Sequence, residues 1–158
     1  MRRLLVFLLT VALSLGALAG CEQAKQLGAR VESALTAADA LIAALPEETP
    51  GRAEYQRLRA SLAAFQEAVP KAQTPEQKLA LLVQFTALVA EFNSVARPVV
   101  PPESDAGKAL ARLDSTLKGL ARKLSCLLAE SRQQLKGLTP EQNAAAQRAY
   151  NELAAFAE

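Results

Sequence analysis

Histidine is absent from the 158-residue chain, and so is tryptophan. Without histidine there is no Ser/His/Asp triad, no imidazole base poised near neutral pH, and no imidazole ligand for a transition metal. The seven glycines are scattered, and none falls in a glycine-rich phosphate loop. No serine stands in the Gly-x-Ser-x-Gly setting of a nucleophile elbow. Carboxylate pairs occur, as at Glu47-Glu48, but that pair lies in "PEETPG" with no neighbour to shift its pKa. Catalysis is therefore not expected, and neither is a cofactor or a metal site. Aromatic residues make up only 4% and β-branched residues are sparse, which speaks against a sheet protein. What remains is rich in Ala and Leu, a helical composition.

The chain starts Met1-Arg2-Arg3 and continues with 12 mostly apolar residues, Leu4 to Leu15. Small residues follow: Gly16, Ala17, Ala19 and Gly20. A basic start, a short apolar core and a small-residue zone are the order of a secretory signal. The core is well short of the roughly 20 residues that cross a bilayer.

Leu18-Ala19-Gly20-Cys21 resembles the lipobox of bacterial lipoproteins. The resemblance covers residues 1–21 and says nothing of the rest. It implies that residues 1–20 are a cleaved signal peptide. It also implies that Cys21 carries a thioether-linked diacylglycerol and becomes the acylated N-terminus, with palmitate among the acyl chains. Such chains contribute about 0.8 kcal/mol per buried methylene, and two suffice for a stable anchor. Residue 22 is Glu, not the Asp that in two-membrane bacteria tends to hold lipoproteins at the inner membrane. The expected address is the bacterial cell envelope, lipid-anchored on the extracytoplasmic side, at the periplasmic face of the inner or the outer membrane.

Residues 21–158 are 138 residues, enough for a single domain with a real core. Arg2 and Arg3 leave with the signal, so 16 basic residues face 16 acidic ones and the net charge is zero. The +2 of the whole chain is then a targeting feature, and no nucleic-acid partner is expected. Acylation of Cys21 leaves Cys126 as the one thiol, which excludes an intrachain disulfide.

Five segments show helical period. The first runs from about Gln23 to Leu45, with Leu27, Val31, Leu35, Ala38, Leu41, Ile42 and Leu45 on one face. Pro46 and Pro50 end it. The second runs from Arg52 to Ala72, with Tyr55, Leu58, Leu62, Phe65 and Val69 spaced 3 and 4 apart and Pro70 near its end. The third is announced by Thr74-Pro75-Glu76-Gln77: an N-cap, a proline suited to the first helical position, and a Gln able to close a capping box. Its body is apolar over most of its circumference, with Gln77, Gln84 and Glu91 as a narrow polar stripe. A helix of that kind is expected in the middle of a bundle.

"RPVVPP" (97–102) is a stiff, extended connection. The fourth segment runs from about Ser104 to Lys136. Leu110, Leu113, Leu117, Leu120, Leu124 and Leu127 are its seam and Gly137 its stop. The fifth begins with a second Thr-Pro-Glu-Gln, at 139–142, and continues through Ala146, Tyr150, Leu153 and Phe156. The doubled tetrapeptide is a helix start used twice. Aligned on it, little beyond Phe85/Tyr150 and Leu88/Leu153 agrees. Short connectors and one apolar face per helix predict an all-α fold, a bundle of four or five antiparallel amphipathic helices.

The fourth segment carries the most suggestive surface chemistry. From Lys108 to Lys136, seven cations (Lys108, Arg112, Lys118, Arg122, Lys123, Arg132, Lys136) face two acids, Asp114 and Glu130. At 100° per residue most of the cations fall opposite the leucine seam. Lys108, Arg112, Lys118, Arg122 and Lys123 are the candidate contacts for acidic headgroups or an acidic partner. A solvated face balanced by neighbouring acids is the plainer alternative. Cys126 also turns away from the seam, with Arg122 and Lys123 one turn back. An exposed thiol in an oxidising compartment points to an intermolecular disulfide and a homodimer. Packing as a small apolar residue is the alternative.

The sequence therefore predicts a lipid-anchored, non-catalytic envelope protein that works as an interaction or structural module. It would be held to the membrane by the acyl chains on Cys21 and have a protein partner in the envelope. A second reading is a helical bundle that binds a small ligand or lipid, with the apolar third helix lining the cavity. A third is a phage-encoded envelope lipoprotein.

Overall fold

The computed structural model describes residues 25–131 and 138–158. Within them the chain forms five helices and no strand. Helix α1 spans 25–44. Then come α2 (Arg52–Ala68), α3 (Pro75–Ser94), α4 (Asp105–Ser131) and α5 (Pro140–Ala157). The signal segment, Cys21, Arg132, Lys136 and the Gly137 stop lie outside the described residues, as do the side chains of Leu128 and Glu130.

Local chemistry sets the helix starts. Thr74 Oγ1 accepts from the Gln77 amide at 3.2 Å, while Gln77 Oε1 accepts from the Thr74 amide at 3.1 Å. Thr139 and Gln142 repeat the arrangement at 3.2 and 2.9 Å. Both Thr-Pro-Glu-Gln sequences are thus complete capping boxes, each satisfying orphan amides at a helix start. Ser104 Oγ accepts from the Gly107 amide at 3.1 Å and caps the start of α4 without the reciprocal bond, since glycine has no side chain to return it. Helix α2 is shorter than its apolar period suggests. It ends at Ala68, and Val69–Lys71 tighten into a 3₁₀ turn, because Pro70 has no amide hydrogen to continue the ladder.

Side-chain bonds fix the packing directions. Arg59 Nε meets Asp39 Oδ1 at 2.9 Å and Arg52 Nε donates to the Ile42 carbonyl at 3.3 Å, so α1 and α2 are antiparallel. Ser61 Oγ donates to Glu91 Oε2 at 3.1 Å, and the Phe65 and Phe85 rings lie 5.1 Å apart, so α2 and α3 are antiparallel. Arg97, just after α3, holds Asp114 of α4 at 3.1 Å. Helix α5 comes back against both α3 and α4. Phe156 near its end stands edge-on to Phe92 near the end of α3, at 6.2 Å, which makes those two helices parallel. The Arg30 guanidinium of α1 lies over Gly119 of α4: a Cβ placed on that glycine would stand 3.4 Å from Arg30 Nη1. The helices therefore follow one another round the core as α1, α2, α3, α5, α4, and α4 meets α1 again.

The core is continuous through all five helices. Val31, Leu41, Leu58, Leu62, Phe65, Phe85, Leu113, Leu117, Leu120 and Leu153 are fully enclosed. Each such side chain contributes about 1.5–3 kcal/mol relative to exposure.

One expectation is corrected. Helix α3 is not enclosed on all sides. Leu79, Leu82, Phe85, Val89 and Phe92 are buried, but Ala80, Val83, Ala87 and Ala90 face outward. A ring gives each helix two flanking neighbours and one inner face, so an outer face always remains. Here it is mostly alanine, which costs little in water. The Gln77–Gln84–Glu91 stripe is not the outer face either, since Glu91 is half-buried and takes the Ser61 hydroxyl across α2.

Two glycines are required by geometry. Gly51 has φ 88°, and a Cβ there would stand 2.9 Å from the Ala96 carbonyl oxygen. Gly107 lets the Pro101-Pro102 segment lie directly on α4, where a Cβ would meet Pro102 Cα at 2.9 Å.

Candidate functional site

Helix α4 buries Leu113, Leu117, Leu120, Ala121 and Leu124 and turns the opposite side outward. Lys108 and Arg112 are exposed on that outer side, Lys123 is half-buried beside them, and Cys126 is an exposed free thiol. Eighteen residues separate Lys108 from Cys126, five full turns, so the two lie on one line about 27 Å apart. Arg112 and Lys123 lie to one side of that line, toward α1.

The other two candidate cations turn toward α5. Arg122 Nη2 donates to the Ala157 carbonyl oxygen at 2.8 Å, where the last carbonyls of α5 lack helical partners. Lys118 is half-buried and lines a groove between α3, α4 and α5. The five cations therefore do not act as one group. Three remain on an open face, one caps a neighbouring helix, and one belongs to a cleft.

Carboxylates do not neutralise the open face directly. The ion pairs among the described residues are Glu54–Arg57, Asp39–Arg59 and Asp114–Arg97, and none includes Lys108, Arg112 or Lys123. Asp105, in the first turn of α4, is the nearest acid along the helix and offsets Lys108 most. A further cation joins from another helix. Arg30 is exposed and reaches across to Gly119, midway between Arg112 and Cys126. On α1, Glu32 and Asp39 lie on the opposite edge, where Asp39 holds Arg59 of α2. The α1/α4 face thus presents Arg30, Lys108, Arg112, Lys123 and Cys126, with Lys123 the nearest of these cations to the thiol. Arg30 escaped the sequence reading because periodicity orders residues within one helix and does not say which helices lie side by side.

The groove between α3, α4 and α5 encloses about 610 Å³ and opens to solvent. Val89, Ala90 and Phe156 supply its apolar wall, and Arg97, Asp114, Lys118, Glu152 and Glu158 its charged mouth. Arg97 is held twice there, by Asp114 at 3.1 Å and over the Phe92 ring at 5.3 Å from its centroid. Among the described residues, no three of Cys, Asp and Glu cluster as metal ligands would, and no helix is long and apolar enough to cross a membrane.

Comparison with protein families, with curated proteins and with solved structures gives no match. The reading of function rests on the residues themselves.

Proposed function

We propose that the protein is a lipid-anchored, non-catalytic module of the bacterial envelope whose work is to hold or space an acidic surface. The observation that carries this reading is the open cationic face. Arg30, Lys108, Arg112 and Lys123 gather on one side of the bundle, and among the described residues no ion pair ties up the three on α4. The field of unpaired cations facing an acidic surface supplies both attraction and orientation. The Leu18-Ala19-Gly20-Cys21 sequence supports the anchor, and the absence of histidine, of a nucleophile elbow and of a phosphate loop supports the non-catalytic reading.

In-cell cross-linking of the acylated protein, followed by mass spectrometry, tests the interaction. Loss of the cross-linked species on Lys108→Glu/Arg112→Glu/Lys123→Glu supports the cationic face. Cross-links indifferent to charge reversal sink it. The anchor is tested separately: Cys21→Ser should abolish acylation and release the protein from the membrane fraction.

The groove favours a second reading, a bundle that takes a small amphiphile with an apolar body against Phe156 and Val89 and a polar end among the mouth charges. Native mass spectrometry of the purified protein separates the two, since a stoichiometric small molecule belongs only to this reading.

A further inference from the structure

We infer that the α1/α4 face lies flat against the anionic headgroups of the same membrane that holds Cys21. The inference rests on the lipid-anchor reading and chooses one acidic surface, lipid, over an acidic protein.

Three observations make the choice. The first is tether length. Only Glu22, Gln23 and Ala24 stand between Cys21 and Lys25, the first helical residue described. Four residue steps span at most about 14 Å. The field of a charged surface decays over about 8 Å at physiological ionic strength. A domain tethered so briefly keeps the start of α1 within or close to the headgroup field.

The second is register. α1 and α3 both run antiparallel to α2, and the connection after α3 reverses direction again, so α4 runs antiparallel to α1. Arg30 is level with Gly119. Five residues before Arg30 is Lys25, and seven after Gly119 is Cys126. At 1.5 Å per residue both lie about 8–10 Å toward the same end. The anchored end of the bundle is therefore the end that carries Lys123, Cys126 and Lys25.

The third is charge on the edge that α1 shares with α4. That edge of α1 carries Gln26, Arg30 and Ser33 and no acid. On α4 it carries Lys123, Arg112 and Lys108, with Asp105 only at the far end. A domain pinned at one end can stand upright and touch lipid with Lys25 and Lys123 alone, or lie down and add Arg30, Arg112 and Lys108. Each cation brought to an anionic surface multiplies the docked population roughly fivefold, so lying down is favoured. Cys126 is then covered by headgroups.

Cys126 reports the outcome, because acylation of Cys21 leaves it the sole thiol. The acylated full-length mature protein is reconstituted into vesicles of phosphatidylcholine alone, or of phosphatidylcholine with phosphatidylglycerol. Its labelling by a membrane-impermeant maleimide is then timed. Slowing on the order of tenfold is expected with phosphatidylglycerol, together with recovery at high salt. The same recovery is expected for Lys108→Glu/Arg112→Glu, whose substitutions lie far from the anchored end, and circular dichroism checks that this variant keeps its fold. Equal rates in the two lipids overturn the inference. So does slowing that persists in the variant, which describes upright contact. Protection that needs an added envelope extract overturns it in favour of an acidic protein. Failure of the anchor itself looks different: the protein is unacylated by mass and leaves phosphatidylcholine vesicles on centrifugation.

Discussion

Arg122 on α4 donates a 2.8 Å hydrogen bond to the carbonyl oxygen of Ala157, the last residue of α5. The cation sits where the helix dipole is negative and carbonyls are unpaired, so the bond joins two helices and closes one of them. Arg122→Ala should destabilise the protein by about 1 kcal/mol. It should also raise amide exchange selectively in the last turn of α5, which exchange mass spectrometry resolves. An unchanged α5 terminus would mean that the bond is idle.

The two capping boxes give a paired prediction. Thr74→Ala and Thr139→Ala each remove a side-chain acceptor from a helix start, at a cost of about 1 kcal/mol. The sites share no partners, so the double variant should lose the sum. Serine at either position keeps the acceptor and should restore most of the loss. Urea unfolding with a constant slope checks all five variants.

Gly107 sets helix propensity against sterics. Alanine is the better helix former by about 1 kcal/mol. At this position, however, its methyl group would press on the Pro101 carbonyl and lie 2.9 Å from Pro102 Cα, and those are backbone atoms of a stiff connection. Sterics should win. Gly107→Ala is expected to lose about 2 kcal/mol or more, whereas Gly28→Ala, with open space around it, should gain a few tenths in the same thermal melts.

Tyr55 is enclosed, and its hydroxyl has no hydrogen-bond partner among the described residues. Burial holds its pKa above the ordinary tyrosine value, and the nearby Arg97 charge pulls part of the way back. Removing an unpaired buried hydroxyl while keeping the ring should stabilise, so Tyr55→Phe is expected to gain about 1 kcal/mol at neutral pH. The pH sign follows from the raised value. Above about pH 10 the unfolded chain releases the phenolic proton while the folded one retains it, so stability falls as pH rises. Tyr55→Phe should lose less stability in that alkaline range. An identical alkaline slope in the two proteins would sink the assignment.

Much of this fold was legible in the sequence because its determinants are local. The Thr-Pro-Glu-Gln boxes, the spacing from Tyr55 to Val69 and the leucine seam of α4 each speak through residues a few places apart. The order of helices round the core did not speak that way. The alanine stripe of α3 reads as core by composition and becomes surface by position. Likewise, Arg122 and Lys118 read as one charged face with Lys108 and Arg112 until α5 takes its place beside them. Cys126 is exposed because a turn of helix decides that it faces away from Leu124 and Leu127. Arg30 was missed, since only the meeting of α1 with α4 brings it to Gly119.

The placement of Cys126 also decides between two disulfide partners. The thiol is free and exposed, so it should react with a small aromatic disulfide in the folded protein without denaturant. Pairing with a second copy is another matter. A symmetric disulfide would bring two faces together, each with Lys123 one turn from the sulfur and Arg30 about 10 Å along the axis, and like charges at that range repel. In detergent micelles, homodimer formation under mild oxidation should therefore be slow at low salt and accelerate as salt screens the faces, while reaction with a neutral small disulfide stays constant. Non-reducing gels of the native protein, with Cys126→Ser as the blank, read both rates. Fast, salt-independent dimerisation would show that the cationic faces do not meet in the dimer, and would turn attention to Cys126 as a designed link between copies.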